Sequence, residues 1–265
     1  MPLSSAQERA AVVLLSSTEG RVNLAGGAAL IAQGVTDRTT TDLDGFTSAS
    51  GTELEATFSR VRSAFARAGY TITERDGRPS ETVHTIYVRP PRTSDRGRPP
   101  EEIKIQIVGD EPALEAPANT PLGPMLTIDE LGANKILAVQ GRTQPRDLDD
   151  IAHLVRAVPF SRMLHVADRK ETHPLDRRML AQTFAAFRDL SDVDFPDPSK
   201  APALRAWALE VARELVEGNQ VTARSPYEPG KQQAAADLNQ RPSTGLGQAA
   251  RRAANGPSRR PRDSF

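Results

Sequence analysis

The segment from Arg21 to Phe46 constrains the fold more than any other part of the chain. Arg21-Val22-Asn23-Leu24-Ala25 is a brief apolar run stopped by Gly26-Gly27. Ala28 to Gln33 then has helical composition and ends at Gly34, and Thr39 to Phe46 reads as a second strand, β-branched and then alternating. The order is strand, glycine turn, helix, strand. Glycines ahead of a helix let backbone N–H groups and the helix N-terminus approach an anion closely, although a Gly-Gly pair alone also makes an ordinary tight turn. On the second strand Asp42 and Asp44 lie two apart, so both side chains leave the same face. Two carboxylates so placed repel unless a cation stands between them. Mg²⁺ meets that need with one or two carboxylates plus phosphate oxygens. An isolated Asp-x-Asp is more often a solvated strand end; following a glycine turn, it points to a phosphate-bearing ligand.

The rest of the chain reads as a sheet-rich part followed by a helical part. Residues 6–20 suit an opening helix. Ser50 and Glu53 have the spacing of a capping box for a helix whose apolar stripe is Leu54, Phe58, Val61, Phe65 and Ala68. Strands are expected at Tyr70–Thr73 and Thr82–Val88, joined by a turn around Asp76-Gly77, and at Ile103–Val108 after a loop from Pro90 to Pro100 rich in Pro, Arg and Ser. From residue 126 the period is helical. Thr127 and Glu130 form a second capping-box pattern before Leu131 to Val139, and Pro145 opens a helix covering Asp147 to Val155. Leu175, Met179, Phe184 and Phe187 mark one later helix, and Leu204, Trp207, Val211 and Leu215 another. Beyond Glu217 the apolar spacing fails, and such a segment cannot bury enough surface to offset its ordering entropy. The expected layout is α+β: a mixed sheet lobe over 1–125, a helical lobe over 126–217 and a disordered basic tail over 218–265.

Composition excludes more than it assigns. Lys plus Arg and Asp plus Glu both number 34, so no global field draws the chain to nucleic acid or to an anionic membrane. Cysteine is absent, which removes disulfides, thiolate metal sites and a cysteine nucleophile, and fits a reducing cytosol. Val12 to Leu15 is far too short to span a bilayer and lacks the flanks of a cleaved leader, so a soluble cytoplasmic protein is expected. His84, His153, His165 and His173 are dispersed, with no two at metal-ligand spacing, and no Walker loop, Rossmann glycine pattern or Ser-His-Asp order is present.

Leu24-Ala25-Gly26-Gly27-Ala28-Ala29-Leu30, followed by Arg38-Thr39-Thr40-Thr41-Asp42-Leu43-Asp44, resembles the signature of AbiEii/AbiGii-type toxin nucleotidyltransferases, members of the DNA polymerase β-like superfamily. A second match lies roughly ninety residues on: Leu131 to Ile136 with Lys135, then Arg142 and Arg146-Asp147-Leu148-Asp149-Asp150-Ile151. The resemblance covers roughly residues 20–156. It implies a nucleotidyltransferase-like sheet lobe with a helical lobe behind it. Carried over, Gly26 and Gly27 cradle nucleotide phosphates with Arg38 and Thr40 alongside, and Asp42 and Asp44 hold Mg²⁺. Lys135 neutralises the triphosphate as a point charge, Asp147 is the second functional acid, and Asp150 is the acid three residues later. Independently of the family, Asp147 and Asp150 are one helical turn apart and share a face, and Arg142 either reaches phosphate or pairs with one of them. Gln106 departs from the pattern. It stands where a third acid is common, coordinates only through its carbonyl and cannot deprotonate a hydroxyl. Catalysis then falls to Asp42 and Asp44, with Asp147 as base, or the chain is impaired. Ala28 likewise replaces a hydroxyl residue.

The resemblance implies a Mg²⁺-dependent toxin of a toxin–antitoxin or phage-defence system. It would move a nucleoside monophosphate from an NTP to an acceptor, most simply the 3′ end of tRNA as in relatives of the MenT kind, with a cognate antitoxin as protein partner. The alternatives are an impaired nucleotide-binding or interaction module of the same fold, and an enzyme that nucleotidylates a protein. Arg89, Arg92, Arg96 and Arg98, or the arginines of the tail, could contact RNA phosphates or simply be solvated linkers.

Overall fold

The structure, a computed structural model, describes residues 2–75, 81–91, 101–110, 112–218 and 221–227. Helix α1 (Ser5–Ser16) opens the chain behind a Ser4/Gln7 capping box. Strand β1 (Asn23–Ala25) runs directly into α2 (Gly26–Ala32), and the chain returns as β2 (Asp42–Thr47). Then come α3 (Gly51–Arg67), β3 (Thr71–Thr73), β4 (Val83–Arg89) and β5 (Ile103–Gly109). A short hairpin, β6 (Ala118–Thr120) and β7 (Gly123–Met125), completes the strands. The helical part contains α4 (Ile128–Gly141), α5 (Pro145–Leu154), α6 (Phe160–Lys170), α7 (Arg177–Ala186) and α8 (Ala201–Glu217).

The strands form a single mixed sheet in the order β3-β4-β5-β2-β1-β7-β6. β2 runs antiparallel to β1 and parallel to β5, with Asp42 opposite Lys104 and Asp44 opposite Gln106. Period-two alternation does the sorting. Leu43, Ile103, Ile105, Ile107 and Ile86 are buried, while Asp42, Asp44, Lys104 and Gln106 between them stay half-buried. Gly45 is on the apolar face and leaves room for Val22, with Leu14 of α1 in contact beside it, and Gly109 accommodates Leu54 of α3, so α1 and α3 cover that face. The polar residues therefore share the opposite face.

Several expected features take a different form. The opening helix ends at Ser16, because Ser17 and Thr18 turn their hydroxyls back onto the carbonyls of Leu14 and Leu15. Ser50 precedes α3 without a side-chain cap. Thr127 does cap α4 by accepting from the Glu130 amide, but the Glu130 side chain does not complete the box. It is wholly buried, accepts from the Leu114 and Glu115 amides and pairs with Lys170 at 3.0 Å. Strands β6 and β7 and helix α6 were not expected. Helix α7 begins after Leu175 and ends before Phe187, which sits in a 3-10 turn (Phe187–Asp189).

Past Glu217, residues 221–227 are packed against the rest of the chain. Val221 and Ala223 are buried, Glu214 accepts from the amides of Thr222 and Ala223, and Ser225 donates to the Ala152 carbonyl at 2.6 Å. The expected turn at Asp76-Gly77, Arg92, Arg96 and Arg98 of the arginine-bearing loop, and the tail from residue 228 onward lie outside the described residues.

Candidate active site

The glycine turn is built around the protein's own side chains. Gly26 has φ +61°, a left-handed conformation that disfavours any residue with a Cβ. A Cβ there would lie 1.9 Å from Asp44 Oδ2, and one on Gly27 would lie 2.4 Å from an Arg38 guanidinium nitrogen. The two glycines thus let the Asp44 carboxylate and the Arg38 head lie directly against the backbone that starts α2. Beside the close approach to a ligand expected of glycine at these positions, the structure shows the close approach of two site residues.

Asp42 and Asp44 share the polar face of β2, as their spacing requires. Thr40 sets the start of that strand: its hydroxyl accepts from the Asp42 amide at 3.2 Å, and the neighbouring Thr41 hydroxyl donates to Asp42 Oδ1 at 3.0 Å. Burial, and then the charge of Asp42, push the Asp44 carboxyl above the usual carboxylate range, against the opposing pull of Lys135, Lys104 and Arg146. Asp44 is therefore a carboxylate short of positive charge.

Behind this pair stands a buried ion network from α4 and α5. Pro145 starts α5, so Asp147 falls in its first turn, where the helix dipole favours an acid. Asp147 and Asp150 are both fully buried, and Lys135 bridges them, with Nζ 2.8 Å from Asp147 Oδ1 and 2.7 Å from Asp150 Oδ2. Arg38 forks onto Asp150 through two bonds of 2.7 and 2.9 Å, and Arg142 caps Asp147 at 2.9 Å. Burial alone would raise the Asp150 carboxyl, but the hydrogen bonds and charges of Arg38 and Lys135 hold it below the ordinary range. Of this cluster, Lys135 is the cation whose charge reaches Asp44. Arg142 pairs with Asp147, one of its two expected roles. Asp147 faces inward, both oxygens committed to Lys135 and Arg142, and a buried, doubly paired carboxylate is poorly suited to the base role expected of it.

Gln106 lies beside Asp44 on the next strand. Its Oε1 accepts from Lys104 Nζ at 2.7 Å, its Nε2 donates to Thr85 Oγ1 at 3.2 Å, and the same lysine is 3.8 Å from Asp42 Oδ2. Reasoning from sequence did not single out Lys104 or Arg146 as site residues. The signals were Lys104's place two residues before Gln106 on an alternating strand, and Arg146's place beside Asp147 at the start of a helix. Among the described residues no three or more His, Cys, Asp or Glu side chains converge as a ready-made metal cage. Asp42 and Asp44, mutually repelling, fit a divalent cation that takes its other ligands from water and phosphate.

A mixed sheet bearing a glycine turn and two paired acids, with a helical lysine brought against them, is the scaffold of a nucleotidyltransferase. The sequence pattern of the family described as "Nucleotidyl transferase AbiEii toxin, Type IV TA system" matches residues 14–231, and the chain belongs to that family of toxin nucleotidyltransferases. Solved structures agree on the fold. The chain is similar to MenT4, a nucleotidyltransferase toxin from Mycobacterium tuberculosis, with a TM-score of 0.51 and 20% identity over 94% of this chain and 90% of that one. It is also similar to JHP933 from Helicobacter pylori, with a TM-score of 0.50 and 19% identity over 82% of this chain and 96% of that one. A comparison with curated proteins finds no match. Among the described residues no helix is long and apolar enough to cross a membrane.

Proposed function

We propose that this toxin transfers a nucleoside monophosphate from an NTP to the 3′ end of a tRNA, with Mg²⁺ held by Asp42 and Asp44. One observation carries the reading: Asp42 and Asp44 share a sheet face with Lys104, and the buried Asp44 feels the charge of Lys135, which the Asp147/Asp150 pair holds in place. The acceptor hydroxyl oxygen attacks the α-phosphorus, the bond from that phosphorus to its bridging oxygen breaks, and pyrophosphate leaves. When bound, Mg²⁺ supplies charge stabilisation at the attacked phosphate and the leaving oxygens.

The chain's own residues do the rest. Lys135 places a point charge toward the triphosphate, while Asp147 and Asp150 orient Lys135, Arg142 and Arg38 rather than touching substrate. Gly26, Gly27 and Thr40 set the Asp42/Asp44 geometry and bring the α2 backbone to the phosphates, and Gln106 flanks them. The hydroxyl proton passes to water, since Asp147 is enclosed and Gln106 takes none at neutral pH. Exposed Arg146 and Arg142, whose side chain is 47% exposed, make the surroundings locally basic in a chain of zero net charge. That suits a polyanionic acceptor. On this reading the toxin acts in the cytoplasm, where NTPs and tRNA are found, under the control of a cognate antitoxin protein.

Gln106 favours one competing reading, a nucleotide-binding module without turnover. Purified protein with labelled NTPs, Mg²⁺ and total tRNA separates them: the proposal expects label on tRNA 3′ ends that vanishes in Asp44→Asn. NTP binding without transfer supports the module, and label on protein when lysate replaces tRNA supports a protein acceptor.

A further inference from the structure

Asp42, Asp44 and Gln106 occupy neighbouring positions on one face of two parallel strands in register. Centres that use two divalent ions hold them about 3.5–4 Å apart and need enough carboxylates to share between them. Here the third position is an amide, and both of its ends are engaged, by Lys104 and by Thr85. The Lys104 ammonium also stands 3.8 Å from Asp42 Oδ2, and the two side chains are 29% and 26% exposed, so they meet where solvent and substrate can reach. A divalent ion placed between Asp42 and residue 106 would confront a like charge and find only one carboxylate and a neutral carbonyl to bind it.

Building on the nucleotidyl-transfer reading, we infer that this is a one-cation centre in which the Lys104 ammonium, held between Asp42 and Gln106, stands in the place of a second divalent ion. Asp42 and Asp44 would together hold the single ion that accompanies the triphosphate. Lys104 then supplies the fixed positive charge on the acceptor side. It is a monovalent charge that cannot leave, so activity should follow one metal-binding event rather than two.

The test counts Mn²⁺ by electron paramagnetic resonance in the full chain, per bound α,β-methylene nucleoside triphosphate, using a mixture of all four bases. Wild type is expected to hold one Mn²⁺ per bound analogue, without Mn–Mn coupling. The double variant Lys104→Met/Gln106→Glu is expected to hold two, with coupling. Two coupled ions in wild type would overturn the inference, and so would a double variant that binds analogue yet stays at one. Both side chains are partly exposed, so the variant should fold; should it not, the wild-type count decides alone. Failure of wild type to bind any analogue would overturn the nucleotide reading itself, a result distinct from a count of two.

Discussion

Replacing Gly26 with alanine separates backbone strain from site geometry. The left-handed φ of +61° costs a residue with a Cβ about 1–2 kcal/mol. The added carbon would also lie 1.9 Å from Asp44 Oδ2, so the carboxylate must retreat by about 1 Å to reach even the closest contact real Cβ atoms tolerate. A misplacement of about 1 Å in a reacting constellation costs on the order of 100-fold in rate. Gly20 is the control: its φ is +82°, yet nothing lies within 4 Å of its would-be Cβ. Both alanine variants should lose similar stability, a fall in Tm of roughly 2–8 °C for a body of this size. Only Gly26→Ala should lose about 100-fold in kcat for label transfer from NTP. Thermal melts and initial rates on both variants check this. If Gly26→Ala turns over within threefold of wild type, or Gly20→Ala falls as far, the glycine is not there for Asp44.

Other perturbations have opposite signs at neighbouring acids. The Asp44 carboxyl is raised in the folded state, so its ionisation costs stability that is present at low pH and lost as pH rises through the folded value. Asp44→Asn should therefore raise the Tm of the metal-free protein at neutral pH while abolishing transfer. The Asp150 carboxyl is lowered, so its contribution is full above the unfolded value near about 3.9 and is lost as pH falls through the folded one. Asp150→Asn should be destabilised at pH 7 in denaturant titrations and converge on wild type in strong acid. Lys135→Met leaves two fully buried carboxylates short of their shared cation and should cost about 3–5 kcal/mol, read as a shift in the urea midpoint. Tyr227→Phe removes a hydroxyl that donates to Asp149 and should cost about 1–2 kcal/mol, with little effect on kcat because Lys135 pairs with Asp147 and Asp150 rather than with Asp149.

What could be read from the amino acids followed from local periodicity. Alternation in β2 and β5 put Asp42, Asp44 and Gln106 on one face, and the i, i+3 spacing put Asp147 and Asp150 on another. What could not be read depended on distant partners. Strands β6 and β7 contain Asn, Pro and Gly, poor strand formers, and exist because Leu24 of β1 offers a parallel partner to Met125. Helix α6 has a clear apolar stripe in Phe160, Met163, Leu164 and Ala167. It opens behind Pro159 with no capping residue, so its start carries little signal. Glu130 has capping-box spacing, yet a buried lysine forty residues away claims its carboxylate. Residues 221–227 look too polar to pack, but Glu214 and α5 supply the partners their backbone and hydroxyls need. The cations that act on Asp44 are invisible in a total charge of zero, because they come from residues as far apart as Lys104, Lys135 and Arg146.

The most direct test of the account follows two labels on the same NTP. Wild-type protein with Mg²⁺ and tRNA should place α-phosphate label on the acceptor and release γ-phosphate label as pyrophosphate, and Asp42→Asn or Asp44→Asn should stop both. Transfer of the γ label to the acceptor, or α-label transfer that survives loss of either acid, would contradict a nucleotidyl-transfer centre at Asp42 and Asp44.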